Sequence, residues 1–230
     1  MKLTGWIAIF DGATKVTSST GECFDIGNNT NYALDCYQAN SEAIAGPTDP
    51  NTAGKGSIMR LVPVPMFFYP NPNLVERFSA KHSLTTHGAT ACIAGCRLLG
   101  VLILTTLSGA TKDKVLSAGK GLEFDTEEIA SIATENYRTK RESDIQGSGY
   151  VVESLEAALR CFATTKSFKA SILKSANLGD AADTTAAICG QLAEAHYGES
   201  GIPQSWRELV AIRKDICELA NQLHAVNSRQ

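Results

Sequence analysis

No block of lysine or arginine residues occurs in this sequence, and its 230 residues carry a formal net charge of −3. A nucleic-acid-binding surface needs clustered positive charge, so nucleic acid is not an expected partner. Long period-2 alternation of apolar and polar residues, internal repeats and low-complexity tracts are also missing. Without strand-like alternation, helices are the expected secondary structure.

The seven cysteines are odd in number and scattered in spacing, which is not the pattern of a disulfide-stapled secreted protein. No signal peptide is recognised, because the apolar stretch at the start is short and ends at Asp11. A reducing cytoplasm is therefore the expected location. Cys92 and Cys96 lie one helical turn apart without a second pair of ligands, so we expect core thiols there rather than a zinc site.

One segment, from Ala89 to Leu107, is apolar enough to raise the question of a membrane span. It carries Arg97 near its centre, together with glycines and threonines, and it lacks a basic flank on one side. A charge in the middle of a span is costly, so this segment is predicted to be a buried helix of a protein that has no membrane partner.

Helical periodicity marks the second half of the chain. The spacing of one helix face is kept by Val151, Leu155, Leu159 and Phe162. Acidic residues after Asp125 suit the first turn of another helix, because they complement the helix dipole. A final helix with Pro203 in its first turn is predicted from the spacing of Leu209, Ile212, Ile216, Leu219 and Leu223. These patterns predict an all-α fold, and the length fits one domain over residues 1–230.

The longest irregular stretch runs from about Ala43 to Pro72, and its apolar run from Ile58 to Phe68 predicts a loop that packs on the core. Residues 52–60 of this stretch read Thr-Ala-Gly-Lys-Gly-Ser-Ile-Met-Arg. Glycines of this kind let a ligand approach the backbone closely, and bare amide groups form anion cradles. The lysine is followed by glycine rather than serine or threonine, so the pattern is not a P-loop.

Four other patterns occur between the predicted helices. Residues 23–29 read Cys-Phe-Asp-Ile-Gly-Asn-Asn, and from spacing alone Asn28 or Asn29 also fits the cap of a helix beginning near Tyr32. Residues 84–88 read Leu-Thr-Thr-His-Gly, and a lone histidine is usually structural or exposed. Residues 146–151 read Gln-Gly-Ser-Gly-Tyr-Val, which also fits a plain helix start. Residues 177–185 read Asn-Leu-Gly-Asp-Ala-Ala-Asp-Thr-Thr, where Asp180 fits a helix N-cap.

In their order along the chain, these patterns resemble those of the ADP-ribosylglycohydrolases, and in particular the bacterial members related to ADP-ribosyl-dinitrogen-reductase hydrolase. The resemblance runs from about Ser18 to Trp206 and covers most of the chain. It implies a compact multi-helix fold that hydrolyses the N-glycosidic bond between ADP-ribose and a protein side chain, with arginine as the expected acceptor. ADP-ribosylated proteins or ADP-ribose are then the expected partners, and a pair of Mg²⁺ ions is the expected cofactor.

The same resemblance implies roles for individual residues. Asp25 is the implied catalytic residue, and Asp183 and Thr184 are the implied metal ligands. The implied substrate-binding residues are Asn28, Gly54, Gly56, Ser57, Met59, His87 and Tyr150. Six of the implied site residues are expected to converge on one cleft, namely Asp25, Gly54, Gly56, His87, Tyr150 and Asp183.

Two departures from the family pattern predict a damaged metal centre. The family signature usually reads Gly-Asp-Asp-Ala-Asp-Thr-Thr, and here its second aspartate is Ala181, which has no side-chain oxygen. The upstream Gly-Asp-x-x-Gly and Thr-Asp-Asp-Thr segments are not found, so we expect an N-terminally truncated copy, equivalent to the C-terminal two-thirds of the family domain. Because Mg²⁺ needs near-octahedral oxygen ligands, metal binding and hydrolysis are predicted to be impaired. Missing helices would also expose core surface and favour self-association.

Two further functions fit the same residues. A chain that keeps its loops but lacks metal ligands fits a non-catalytic binder of ADP-ribose or a nucleotide, through the Gly54–Met59 loop, His87 and Tyr150. The third possibility is a structural protein, because the family includes a lens crystallin. Binding of ADP-ribose without hydrolysis would distinguish the second function from the first, and loss of binding as well would leave only the third.

Overall fold

The computed structural model of the protein describes residues 26–180 and 182–227. Asp25 and Ala181 lie outside these ranges, as does the short apolar stretch at the start of the chain, for which the sequence favoured neither helix nor strand. Within the described ranges there are eleven α-helices, five short 3-10 helices and no β-strand. The prediction of an all-α fold is therefore confirmed for this part of the chain.

The α-helices, in chain order, are α1 (Asn28–Asn40), α2 (Pro63–Phe68), α3 (Pro72–Leu84), α4 (Thr90–Leu107), α5 (Lys112–Leu116), α6 (Glu127–Ala133), α7 (Val151–Thr164), α8 (Phe168–Ala176), α9 (Ala182–Tyr197), α10 (Gln204–Glu208) and α11 (Arg213–Asn227). The 3-10 helices are Pro50–Thr52, Ile58–Arg60, Asn136–Arg138, Glu142–Asp144 and Glu199–Gly201.

Helix α4 is the centre of the fold. It packs against α2, α3, α5, α6, α7 and α9. It is also the one described helix that is long and apolar enough to cross a membrane, but 61% of it is buried inside the protein. Arg97, its one basic residue, donates from Nε to Oε1 of Glu76 on α3 at 3.0 Å, so its charge is paired. The prediction of a buried core helix with thiols at Cys92 and Cys96 is confirmed, because both cysteines are fully buried.

Helix α7 follows its sequence pattern. The four residues of the predicted face are each at most 1% exposed. Lys112 closes the carboxyl end of this helix, because its ammonium donates to the carbonyl oxygens of Phe162 at 2.9 Å and Thr165 at 2.7 Å. A cation there complements the negative end of the helix dipole. Helix α6 likewise begins with two acidic residues in its first turn, as predicted.

The irregular stretch before α2 is packed, as its apolar run predicts. Ile58 and Leu61 are fully buried. Gln191 of α9 clamps this segment, because its Nε2 donates to the Ile58 carbonyl at 2.9 Å and its Oε1 accepts from the Val62 amide at 2.7 Å. Helix α9 therefore holds the end of the glycine loop.

A close backbone crossing fixes the start of the same stretch. A Cβ atom on Gly46 would lie 2.4 Å from the amide nitrogen of His87, so only glycine fits there. The crossing is held by hydrogen bonds from the Gly46 amide to the Leu84 carbonyl at 3.1 Å and from the Gly88 amide to the Pro47 carbonyl at 2.9 Å. It places residues 47–56 directly beside His87.

The predicted single helix at the C-terminal end is wrong. Pro203 precedes the short helix α10, and α11 begins only at Arg213. Between them Ile212 has a φ of 49°, and a left-handed residue ends a right-handed helical run. The predicted apolar face is consequently not buried, since Leu209 is 83% exposed and Leu219 is 65% exposed.

An ion pair spans the break. The Glu199 carboxylate oxygen Oε1 accepts from Arg207 Nη1 at 3.2 Å and from Arg213 Nη2 at 3.1 Å. The two arginines lie on either side of the break and meet at the same acceptor. In a continuous helix the two arginines would be arranged differently around Glu199. The shared ion pair therefore occurs together with the turn between α10 and α11.

Candidate functional site

Several separate segments of the chain meet in a cavity of about 780 Å³, here called the loop cavity. Its described lining comprises residues 27–30, 50–56, Met59, His87, 149–150 and Thr184. The volume falls in the range of small-molecule sites, roughly 300–1,000 Å³. The lining comes from positions far apart in the sequence and joined only by the fold.

The first turn of α1 forms one wall of the loop cavity. The helix begins at Asn28, with Gly27 at the N-cap and no side-chain cap, so the idea of a helix starting near Tyr32 and capped by an asparagine is wrong. Asn29 instead donates from Nδ2 to the Thr52 carbonyl at 2.7 Å and ties α1 to the glycine loop. Uncapped amide groups at a helix start favour an anion.

The glycine loop is pinned to two helices. The Cys92 thiol of α4 donates to the Gly54 carbonyl at 3.2 Å, and the Val151 amide of α7 donates to the Ala53 carbonyl at 3.0 Å. Burial raises the pKa of Cys92 to about 12. The thiol therefore stays protonated near neutral pH and serves as a donor to the loop rather than as a nucleophile.

His87 lies against the glycine loop in a fixed orientation. A Cβ atom on Gly56 would lie 2.7 Å from Cε1 of the imidazole, so the close approach requires glycine. On its other side, Nδ1 of His87 lies 2.8 Å from Oγ1 of Thr86, which also accepts from Nη2 of Arg60. Arg60 can only donate, so among the described partners of this hydroxyl Nδ1 is the one atom able to accept its proton. The imidazole proton is thus on Nε2, which faces the loop.

The histidine is neutral under physiological conditions. Burial, and secondarily the charge of Arg60, lowers the pKa of His87 to about 4. The same two causes lower the pKa of His82, on the other side of Arg60, to about 3. His87 therefore offers an Nε2–H donor to the loop cavity at neutral pH but no positive charge.

Residues at three helix N-termini line the loop cavity. Besides α1, helix α7 begins beside it with Tyr150 at the N-cap, and Thr184 stands in the first turn of α9. The amide of Tyr150 donates to Oγ of Ser148 at 3.0 Å, which fixes the start of α7. Each N-terminus carries roughly half a positive charge, so together they favour an anionic ligand.

Lys55 is the one formally charged group at neutral pH in the described lining of the loop cavity. The residue is only 8% exposed. Burial lowers the pKa of its ammonium, while the nearby carboxylates of Asp183 and then Asp180 oppose that effect. Asp180 has a φ of 50° after Gly179 with 83°, and its predicted role as an N-cap stays a prediction, since residue 181 lies outside the described ranges.

The structure brings together most of the residues singled out from the sequence. The loop cavity is lined by Asn28, Gly54, Gly56, Met59, His87, Tyr150 and Thr184. Asp183 lies beside it, close enough to act on the charge of Lys55. Ser57 does not line it, because its side chain is fully buried and faces the Cys92 and Cys96 thiols. The functional roles of all these residues, and of Asp25, stay predictions.

A model of the ADP-ribosylglycohydrolase family matches residues 3–230. The chain belongs to this family. A solved structure described as an ADP-ribosylglycohydrolase-related protein complex has the same fold, with a TM-score of 0.78 and 31% identity, over 87% of this chain and 69% of that one. The resemblance that the ordered patterns indicated is thereby confirmed.

Relatives of known activity are similar over most of the chain. The ADP-ribosylarginine hydrolase Tri1 of Serratia proteamaculans is 37% identical over 90% of this chain and 56% of its own length. The corresponding protein of Pseudomonas putida is 40% identical over 90% and 55%. The ADP-ribosyl-[dinitrogen reductase] glycohydrolase of Rhodospirillum rubrum is 28% identical over 79% and 58%. The chain thus spans a little over half the length of these relatives.

The family is one of metal-dependent hydrolases, but the described residues do not fit a pair of metal ions. Asp183 and Thr184 stand together, with Thr184 Oγ1 lying 3.4 Å from Oδ1 of Asp183. Within residues 26–180 and 182–227, however, no group of three or more His, Cys, Asp or Glu side chains is placed to hold a metal ion.

Several residues that shape the site were missed from the sequence. Thr86 and Arg60 orient the His87 imidazole, and Asn29 ties α1 to the loop. Thr86 and Arg60 stand inside patterns that had drawn attention for other residues, Thr-Thr-His and Ser-Ile-Met-Arg. Their pairing joins positions 26 residues apart, so no local spacing could have indicated it.

Proposed function

We propose that this chain binds the ADP-ribosyl group of proteins modified on arginine, and that it cleaves the N-glycosidic bond slowly or not at all. Its two relatives with at least 37% identity are both named ADP-ribosylarginine hydrolases, which supports the choice of arginine. Modified proteins of the cytoplasm are the proposed partners. Hydrolysis is proposed to be weak because the metal ligands are incomplete. Ala181 has no side-chain oxygen that could bind a metal ion.

The observation that carries the binding proposal is the composition of the loop cavity. Its described lining combines three helix N-termini, a glycine loop and one buried lysine, and it includes no aspartate or glutamate. ADP-ribose has a diphosphate that such a lining attracts, and two sugars whose hydroxyls need polar partners. The Nε2–H group of His87 and the partly exposed ring of Tyr150 supply a donor and a flat surface beside the loop.

We propose that Mg²⁺, the ion expected for this family, binds this chain weakly. An octahedral site needs several oxygen ligands, and the described residues offer Asp183 and Thr184 from the predicted set. Even changes around a metal ligand cost roughly 10–100-fold in affinity or activity, so loss of a ligand costs more.

Calorimetric titration with ADP-ribose tests the binding proposal. The wild type is expected to bind one ADP-ribose per chain. Gly56→Ala is expected to bind at least about tenfold more weakly, because the added Cβ displaces the His87 imidazole and its donor. Gly190→Ala in α9 is the matched control, since its Cβ would make an ordinary 3.4 Å contact with Ile172, away from the loop cavity.

Two outcomes would overturn this proposal. One is the absence of ADP-ribose binding by a wild type that circular dichroism reports as folded. The other is equal affinity of Gly56→Ala and Gly190→Ala, which would place the ligand away from His87 and the glycine loop.

A further inference from the structure

The imidazole of His87 has a described partner on only one of its two nitrogens. Nδ1 lies 2.8 Å from Oγ1 of Thr86, whereas Nε2 has no hydrogen-bond partner among residues 26–180 and 182–227. A Cβ atom on Gly54 would lie 3.5 Å from Nε2, so this nitrogen faces the glycine loop, and the whole residue is only 4% exposed. Buried polar groups are almost always hydrogen-bonded. The Nε2–H group is therefore a donor that is available to an acceptor atom of a ligand in the loop cavity.

The main chain of His87 is fixed, so its side chain keeps few degrees of freedom. The His87 amide donates to the Ser83 carbonyl at 2.7 Å, and Oγ of Ser83 donates to the His87 carbonyl at 2.7 Å. With the backbone held, two choices remain for the ring, namely its orientation about χ2 and the nitrogen that carries the proton. The contact with Thr86 decides both, because the hydroxyl proton needs an unprotonated ring nitrogen as its acceptor.

Arg60 fixes the direction of that hydroxyl. Its Nη2 donates to Oγ1 of Thr86, and its Nη1 lies 3.2 Å from Nε2 of His82 on α3. The guanidinium has donors only, so it occupies a lone pair of the hydroxyl and leaves the hydroxyl proton to His87. Thr86 is fully buried, which keeps water from offering other partners. The hydrogen bonds thus run in one direction, from Arg60 through Thr86 to His87.

We infer that Thr86 is a positioning residue for ADP-ribose binding. Its hydroxyl proton, directed by Arg60, holds the His87 imidazole in the one ring orientation and the one tautomer that present Nε2–H to an acceptor oxygen of the ligand. This inference rests on the proposed function of the loop cavity. Without the hydroxyl, two ring orientations and two tautomers give four states, of which one presents Nε2–H to the loop. Affinity falls in proportion to the population of the competent state.

Nitrogen-15 NMR of the ligand-free protein at neutral pH tests the first part of this inference. The chain has four histidines, and the signals of His87 are assigned by their loss in His87→Gln. In the wild type, Nε2 is expected to carry the proton and Nδ1 to be unprotonated. Thr86→Val, which keeps the shape of threonine, is expected to show a mixture of the two tautomers. Thr86→Ser, which keeps the hydroxyl, is expected to restore the wild-type spectrum.

Calorimetric titration with ADP-ribose tests the second part. Thr86→Val is expected to raise the dissociation constant about two- to fourfold, since two to four ring states then share the population. Thr86→Ser is expected to bind as the wild type does. The matched control is Thr85→Val, because the hydroxyl of this neighbouring threonine donates to the His82 carbonyl at 2.7 Å instead of to an imidazole. Its affinity and its His87 spectrum are expected to be those of the wild type.

Two outcomes would overturn the inference. One is a proton on Nδ1 of His87 in the wild type, and this arm needs no variant to fold. The other is a folded Thr86→Val with the wild-type tautomer or the wild-type affinity, because the inference requires both to change. Absence of ADP-ribose binding by the wild type has a different meaning. It would overturn the proposed function, while the ligand-free spectra still decide whether Thr86 sets the tautomer.

Discussion

Gln191→Leu is expected to lower the free energy of unfolding by about 3 kcal/mol, because it leaves two buried backbone groups without partners. The side chain is 7% exposed and is the hydrogen-bond partner of both the Ile58 carbonyl and the Val62 amide. Leucine has most of the volume of glutamine. The decrease in the free energy of unfolding therefore measures the lost hydrogen bonds of Gln191 rather than a cavity. Because the clamp holds the end of the glycine loop, weaker binding of ADP-ribose is expected with it.

Urea unfolding followed by circular dichroism measures this effect. The matched control is Gln204→Leu, an exposed glutamine whose Nε2 donates to Glu208 at 2.6 Å, and a change within about 0.5 kcal/mol is expected there. A loss below about 1 kcal/mol in Gln191→Leu would show that water or a local shift satisfies the two backbone groups, and that α9 does not clamp the loop.

Acidification from pH 7.5 to 5 is expected to destabilise the protein through its two buried histidines. The pKa values of His87 and His82 are lowered to about 4 and about 3, whereas an unfolded histidine titrates near 6.5. Between these values the unfolded chain takes up protons that the folded chain does not. Above pH 6.5 the histidines therefore do not lower the free energy of unfolding. As the pH falls from 6.5 towards the pKa values of the folded protein, the free energy of unfolding decreases by about 1.4 kcal/mol per pH unit for each histidine.

Urea unfolding at a series of pH values checks this slope. The expected loss at pH 5 is about 2 kcal/mol for each histidine, and His82→Gln is expected to flatten the slope by about that amount. His196→Gln is the comparison variant, because this histidine is less buried and lies on the far side of the fold, near Phe162. A stability that is constant from pH 7.5 to 5 would contradict the burial of His82 and His87 beside Arg60.

The parts of the fold that the sequence predicted correctly depend on local patterns. The buried face of α7 repeats apolar residues at the spacing of one helix face, and the segment of α4 is apolar over most of its length. The break before α11 has no such signal, because it occurs at the left-handed conformation of Ile212, with Arg207 and Arg213 on either side sharing Glu199. Apolar spacing alone continues through it and predicts a helix that is not there.

The candidate site likewise has features that the sequence predicted and features that it did not. Glycines, His87 and Tyr150 were indicated by short patterns, and the structure brings them to one cavity. The contacts that give them their chemistry join residues far apart, such as Arg60 with Thr86. The proton on Nε2 of His87 follows only from that network. Sequence spacing therefore indicated which segments line the cavity, but not the charge and tautomer of the side chains there.

The central claim is that the chain recognises ADP-ribosylated arginine without a competent metal centre. Its most direct test is single-turnover release of ADP-ribose from an ADP-ribosylated arginine peptide, in magnesium and in chelator, beside the Serratia relative. The account predicts a rate at least about 100-fold below that of the relative and the same with and without chelator, since ligand loss exceeds the cost of changes around a ligand. A rate comparable to that of the relative and abolished by the chelator would contradict it.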